Sequence, residues 1–230
     1  MLKTEMIAKN PLRAFDQQRE GGLMPGQSGL IAARAGTGKT ALLIHIALDN
    51  LFRGVSVLHV SIGETVSHVQ AWYEEIFRDL AVGYDLEKSR RVWDEIIPNR
   101  LILTFRAESF NVKTLEERLN DLVEQNIFKP KVVVLDGLDL NKDNREALNE
   151  FKTYIRQSGL KAWVAARSHR EAGDLAGMLG PISEYFDVVL GIEPVEEGLQ
   201  LTAYKNPVHD DGSVTVNLDP KTLLLISKEK

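Results

Sequence analysis

Apolar residues run along this chain in two alternating rhythms. Residues 28–33, 54–61, 101–105, 131–136 and 162–166 are short runs rich in β-branched and other apolar residues, bounded by turn formers. Runs that are apolar almost throughout, rather than at every second position, mark strands covered on both faces, as in a parallel sheet. The stretch at 131–136 is the plainest case: Val132 to Leu135 are all apolar, and the run ends on the carboxylate of Asp136. Between these runs the spacing becomes helical, over 39–52, 65–80, 112–127 and 143–158. In 65–80, Val69, Trp72, Tyr73, Ile76, Phe77 and Leu80 recur at helical spacing, which reads as core rather than as a platform for stacking bases. Leu115, Leu119, Leu122 and Val123 share one face of 112–127. A short helix is expected within 83–99, ended by Pro98.

After Tyr185 the pattern turns over. Residues 186–192, 199–205, 213–218 and 223–226 read as short strands, joined by turns such as Glu196-Glu197-Gly198, Asp210-Asp211-Gly212 and Asp219-Pro220. Hairpins are the economical reading. The predicted fold class is α/β: a mostly parallel sheet flanked by helices, with antiparallel C-terminal hairpins completing one mixed sheet. Residues 1–20 read as an N-terminal arm or short helix, Gly21 to Gly26 as a turn into the first strand, and 21–230 as a single domain. A chain of 230 residues is long enough to bury a substantial core.

The first strand-to-helix junction carries the chemistry. Ala33-Arg34-Ala35-Gly36-Thr37-Gly38-Lys39-Thr40 lies between the strand at 28–33 and the helix at 39–52, the context a phosphate-binding loop requires. Gly36 and Gly38 let the backbone curl so that successive N–H groups face inward, and the helix adds the positive end of its dipole. The candidate nucleotide-binding residues are therefore Arg34, Ala35, Gly36, Thr37, Gly38, Lys39, Thr40 and Ala41. Lys39 would reach the β- and γ-phosphates of ATP, and the Thr40 hydroxyl would ligate Mg²⁺. Ala33 stands where the first glycine of the usual pattern falls, and a small residue still lets the loop turn. A chance Gly-Lys-Thr at a helix start is the competing reading, against which the flanking strand and helix weigh.

A phosphate loop needs a second carboxylate to organise Mg²⁺, and Asp136 stands where an open parallel sheet would place it. Its alternative is an aspartate that caps a turn. Glu64, just past the second strand on the same rim, is the candidate catalytic base for water. It could equally be a carboxylate favoured by the dipole of the 65–80 helix. Arg167, Ser168, His169 and Arg170 follow the fifth strand on that rim, either sensing the γ-phosphate or a partner, or forming a solvated loop.

Composition narrows the setting. The hydrophobic fraction of 43% and the charged fraction of 27% are ordinary for a globular domain. With no cysteine there is neither a disulfide nor a thiolate metal site. No stretch approaches the ~20 apolar residues of a membrane span, so no membrane partner is expected and the chain reads as cytoplasmic. A net charge of −5 advertises no nucleic acid.

Several of these motifs, taken in order, resemble the RecA superfamily, especially its KaiC-like and DnaB-like branches. They are Gly22-Leu23-Met24-Pro25-Gly26, Leu30-Ile31-Ala32, the Gly36–Thr40 loop, Val60-Ser61-Ile62-Gly63-Glu64, Val132–Asp136, Tyr204-Lys205-Asn206 and the segment Asp211–Pro220. The resemblance covers residues 20–226 and implies a RecA-like P-loop ATPase fold. It gives Lys39 and Thr40 to phosphate and Mg²⁺, and Asp136 to Mg²⁺. The family's catalytic glutamate usually stands at Gly63 or beside it at Glu64, so here only the second position carries one. Lys205 matches a basic residue that a neighbouring subunit inserts into the ATP site, which implies a homo-oligomer: a ring, commonly a hexamer, or a filament. The first functional reading is an ATPase whose Mg-dependent hydrolysis drives conformational change across subunit interfaces. A DNA-dependent motor or recombination ATPase of DnaB/RadA-like type is the alternative, with single-stranded DNA as a partner that the net charge does not support. Gly63 motivates a third, a slow or non-hydrolysing nucleotide-gated regulatory assembly protein. A P-loop kinase with Arg90 and Arg91 in a lid is the weakest.

Overall fold

The computed structural model describes residues 2–10, 22–139, 145–167, 179, 182–196, 198–206 and 215–224. Within them, strands β1 (Ser28–Ala33), β2 (Val57–Ile62), β3 (Arg100–Phe105), β4 (Val132–Asp139), β5 (Lys161–Arg167), β6 (Val188–Val195), β7 (Gly198–Lys205) and β8 (Thr215–Leu218) form one sheet. Its order is β3-β2-β4-β5-β1-β6-β7-β8. The first six strands in that order are mutually parallel, and β7 and β8 continue antiparallel from β6. The expected α/β class, with a mostly parallel sheet and an antiparallel C-terminal edge, holds.

Alternation along each strand assigns the two faces. Ile31, Val57, Val134 and Trp163 point into a core built with α1 (Leu2–Ala8), α2 (Lys39–Phe52), α3 (Val66–Leu80) and α4 (Leu86–Ile96). Leu30, Leu58, Val133 and Val164, one residue away, enter a second core with α5 (Val112–Glu124) and α6 (Arg145–Ser158). Strands covered on both sides in this way have no polar face, which is why their sequences read as unbroken apolar runs. Gly29 is required for contact rather than conformation. A Cβ there would lie 2.4 Å from the Trp163 ring across the β1–β5 pair.

β1 and α2 span the predicted residues, because the glycine loop between them marks both ends. Other expectations need correction. Residues 223–226 were expected as a strand, yet Leu223 and Leu224 close a turn, and 225–226 lie outside the described residues. The Asp219 carboxylate accepts hydrogen bonds from the backbone of Lys221 and Thr222 and from the Thr222 hydroxyl, so the chain curls there instead of extending. The helix expected over 112–127 stops at Glu124, because Asn126 turns left-handed at φ 56°. Val123, expected on its buried face, is 42% exposed. On α3, Val69, Tyr73, Ile76, Phe77 and Leu80 are buried as expected, but Trp72 is only half-buried. The helix within 83–99 is α4, capped by Asp85, whose carboxylate accepts from the Lys88 N–H. In α1, Met6 and Ile7 are buried in the first core; residues 11–20 lie outside the described residues.

Candidate functional site

The loop between β1 and α2 is shaped by two glycines. Gly36 (φ 77°) and Gly38 (φ 91°) occupy the left-handed region, which a side chain strains. Gly38 is the N-cap of α2 and offers no side-chain acceptor, so the first N–H groups of the helix have no cap from that residue. The Lys39 ammonium donates to the carbonyls of Ala33 and Arg34, each at 2.8 Å, and so spans the loop from inside. Burial lowers the Lys39 pKa, while the Asp136 carboxylate opposes that shift. One C-terminal contact braces the loop: a Cβ on Gly38 would lie 2.6 Å from Leu223 Cδ1.

Across the sheet, the Thr40 hydroxyl donates to Asp136 Oδ2 at 2.6 Å. The strand does not end at Asp136 as its sequence suggested. It bulges at Gly137 (φ 87°) and continues to Asp139. A bulge re-aims the side chains beside it. Among the described residues no cluster of three or more histidine, cysteine or acidic side chains comes together. A hydroxyl and a carboxylate in contact nevertheless fit Mg²⁺, which takes one or two protein oxygens and completes its octahedron with water and substrate phosphates. Their place beside Lys39 and a helix N-terminus that Gly38 leaves without a side-chain cap is what a Mg²⁺–triphosphate needs.

These groups line one cleft of about 230 Å³. Lys39, Thr40 and Asp136 meet Glu64 there, so the structure brings together four sequence-predicted residues from three separate segments. His59, Ser61, His68 and Trp72 also line it, and none of these was singled out from sequence as a site residue. Ser61 lies opposite Asp136 in the β2–β4 register, placing its side chain on the α2–α3 side by the same period-2 rule that buries Val57. His59 was legible only as a polar residue inside an apolar strand. Its Nδ1 bonds the Tyr73 hydroxyl at 3.0 Å, while its Nε2 is buried without a partner. Burial, helped by the Arg100 guanidinium, pushes the His59 pKa down to about 3, so the ring is neutral. The Tyr73 hydroxyl is held above its usual value by burial, with Arg100 opposing.

Lys205 lies elsewhere. Its ammonium donates to the carbonyls of Ser183 and Phe186 at 3.0 and 2.6 Å. It pairs in register with Val189, which faces Leu30, three positions back from the Ala33 rim. Within one chain the structure does not bring Lys205 to Lys39, Thr40 and Asp136. Arg167 ends β5 at the register position of Asp139, on the rim that bears the loop; Ser168, His169 and Arg170 lie outside the described residues. No described helix is long and apolar enough to cross a membrane.

The profile of the family described as "ATPase: KaiC" matches residues 9–168. This span includes the loop, Glu64 and Asp136 and ends just past β5. A search of curated proteins found no match. The match, the parallel sheet and the loop geometry agree on a nucleotide-binding RecA-like ATPase, and the chain belongs to the KaiC ATPase family.

Proposed function

We propose that this chain binds Mg·ATP at the β1–α2 loop and hydrolyses it as a homo-oligomer, a ring or a filament, with each site completed by a neighbouring copy. The observation that carries the reading is the 2.6 Å contact of Thr40 with Asp136 beside Lys39, at the start of a helix with no side-chain cap. Arg34 to Ala41 form the phosphate cradle, and Lys39 exchanges its two loop carbonyls for phosphate oxygens. Thr40 and Asp136 hold Mg²⁺, which supplies charge neutralisation at the phosphates. Glu64 accepts the proton of the attacking water as its oxygen bonds the γ-phosphorus, and the bridging oxygen leaves with ADP. Lys205 of one copy serves the site of the next. Residues 21–230 act as one domain, with 1–20 as an arm anchored through α1, and the cytoplasm is the proposed location.

Solution mass with and without Mg·ATP, paired with turnover, tests this reading. ATP should raise the assembled fraction, and Lys205→Ala should lower turnover while leaving nucleotide affinity of the isolated protomer unchanged. A monomer at all ATP concentrations that hydrolyses at the same rate with and without Lys205 would overturn the shared site. Gly63 favours a second reading, in which ATP is held between copies and turned over slowly. Assembly on ATP with turnover indifferent to Glu64→Gln would select it.

A further inference from the structure

Glu64 enters the cleft from an exposed position, one residue ahead of Thr65, the N-cap of α3. Its side chain is 47% exposed, so little packing fixes its carboxylate. The charged or chargeable partner within reach among the described residues is His68, whose Nδ1 lies 3.7 Å from Glu64 Oε2. His68 is itself 55% exposed at its side chain, and two contacts steady it. Its backbone N–H donates to Thr65 Oγ1 at 3.2 Å, and its ring stacks on Trp72 at 6.3 Å with an interplanar angle of 30°. Trp72 in turn packs against the buried core. Positions 68 and 72 are four residues apart on one face of α3, Glu64 precedes the N-cap of that helix, and all three residues line the cleft that holds Lys39, Thr40 and Asp136.

We propose that His68 is a positioning residue for Glu64, transmitting the fixed position of Trp72 to the carboxylate that faces the attacking water. The proposal rests on the reading of Glu64 as base. It also supplies what that reading lacks: with Gly63 at the neighbouring position, the carboxylate stands on an exposed turn and needs an outside group to aim it. An Nδ1–H donated to one carboxylate oxygen leaves the other to take the proton of water. The 3.7 Å separation exceeds a hydrogen bond, so the proposal requires it to shorten when ATP is bound, as catalytic hydrogen bonds often do. A solvated pair with no part in the reaction would leave turnover unchanged.

The experiment uses the full chain as wild type, Glu64→Gln, His68→Phe, His68→Asn and the Glu64→Gln/His68→Phe double variant. His68→Phe should lower kcat about tenfold, within the range a positioned base supplies, with KM for ATP nearly unchanged, the mark of an interaction made in the transition state. His68→Asn, whose amide replaces the Nδ1–H, should recover most of that loss. The double variant should fall no further than Glu64→Gln alone, because both changes remove one device. Affinity for ADP with aluminium fluoride gives a readout that needs no turnover. It should weaken about tenfold in His68→Phe while affinity for ADP alone is unchanged, since only the analogue of the transferring phosphoryl group engages the pair. Wild-type kcat and analogue affinity in His68→Phe would overturn the proposal, as would full additivity in the double variant. Wild-type kcat in Glu64→Gln would instead refute the base assignment beneath it.

Discussion

Gly29→Ala is the sharpest structural prediction, because the added atom has nowhere to go. Gly29 sits in β1 opposite Trp163 of β5, and a Cβ there would stand 2.4, 2.5 and 2.9 Å from three atoms of the indole ring. Ordinary contact begins near 3.4 Å, so the ring must retreat by about 1 Å. Trp163 is 1% exposed and among the largest fully buried side chains, so its retreat compresses the α2 side of the core. Overpacking of this kind costs about 1–3 kcal/mol. For a domain of this size each kcal/mol lowers Tm by about 2–4 °C, so Gly29→Ala should melt roughly 2–12 °C below wild type. Urea unfolding should show a lower midpoint at an unchanged slope. Trp163→Phe should be destabilising alone but should reduce the cost of Gly29→Ala when combined with it, since the two residues share one contact. A Gly29→Ala Tm within about 1 °C of wild type, or strict additivity in the double variant, would refute the reasoning.

Tyr73→Phe removes the phenol that satisfies His59 Nδ1 and leaves an imidazole without a hydrogen-bond partner in the core; urea unfolding should show a loss of about 1–3 kcal/mol. His45 is buried, its Nε2 bonds the Thr222 carbonyl at 2.8 Å, and burial pulls its pKa from 6.5 to about 4. Its folded pKa lies below its unfolded one, so this contribution is intact above pH 6.5, is lost as pH falls toward 4, and amounts to about 3 kcal/mol in full. The urea midpoint of His45→Gln should therefore fall less steeply across that window than that of wild type, and an equal slope would contradict the assignment. Asp136→Asn keeps the size of the Thr40 partner while removing its charge. It should abolish most of the difference in ATP affinity between Mg²⁺ and EDTA, measured by calorimetry, and a retained Mg²⁺ effect would place the metal elsewhere.

Local signals carried much of the fold. β1 and α2 keep their predicted bounds because Gly36 and Gly38 break the chain where an apolar run stops and a helical one begins. The apolar strands β4 and β5 were readable because burial on both faces leaves no polar alternation to confuse them. Readings failed where long-range contacts decide. Leu223 and Leu224 look like the start of a strand, yet Asp219 curls the chain so that Leu223 packs against Gly38, a partner far away in sequence. Trp72 fits the apolar stripe of α3, but its place near the helix start turns it toward the cleft beside His68. The loop, Asp136 and Glu64 were legible because strand-end position and residue type suffice to suggest them. His68 was not, because a histidine in the first turn of a helix is ordinary until the cleft beneath it is seen.

If the β1–α2 loop holds ATP through Lys39, calorimetry with ATP in Mg²⁺ must separate wild type from Lys39→Ala. A charge-assisted hydrogen bond from Lys39 to a phosphate oxygen would be worth about 1.5–3 kcal/mol, so losing even one should weaken binding roughly 10- to 150-fold. Equal ATP affinity in the two proteins, with both folded, would contradict the account.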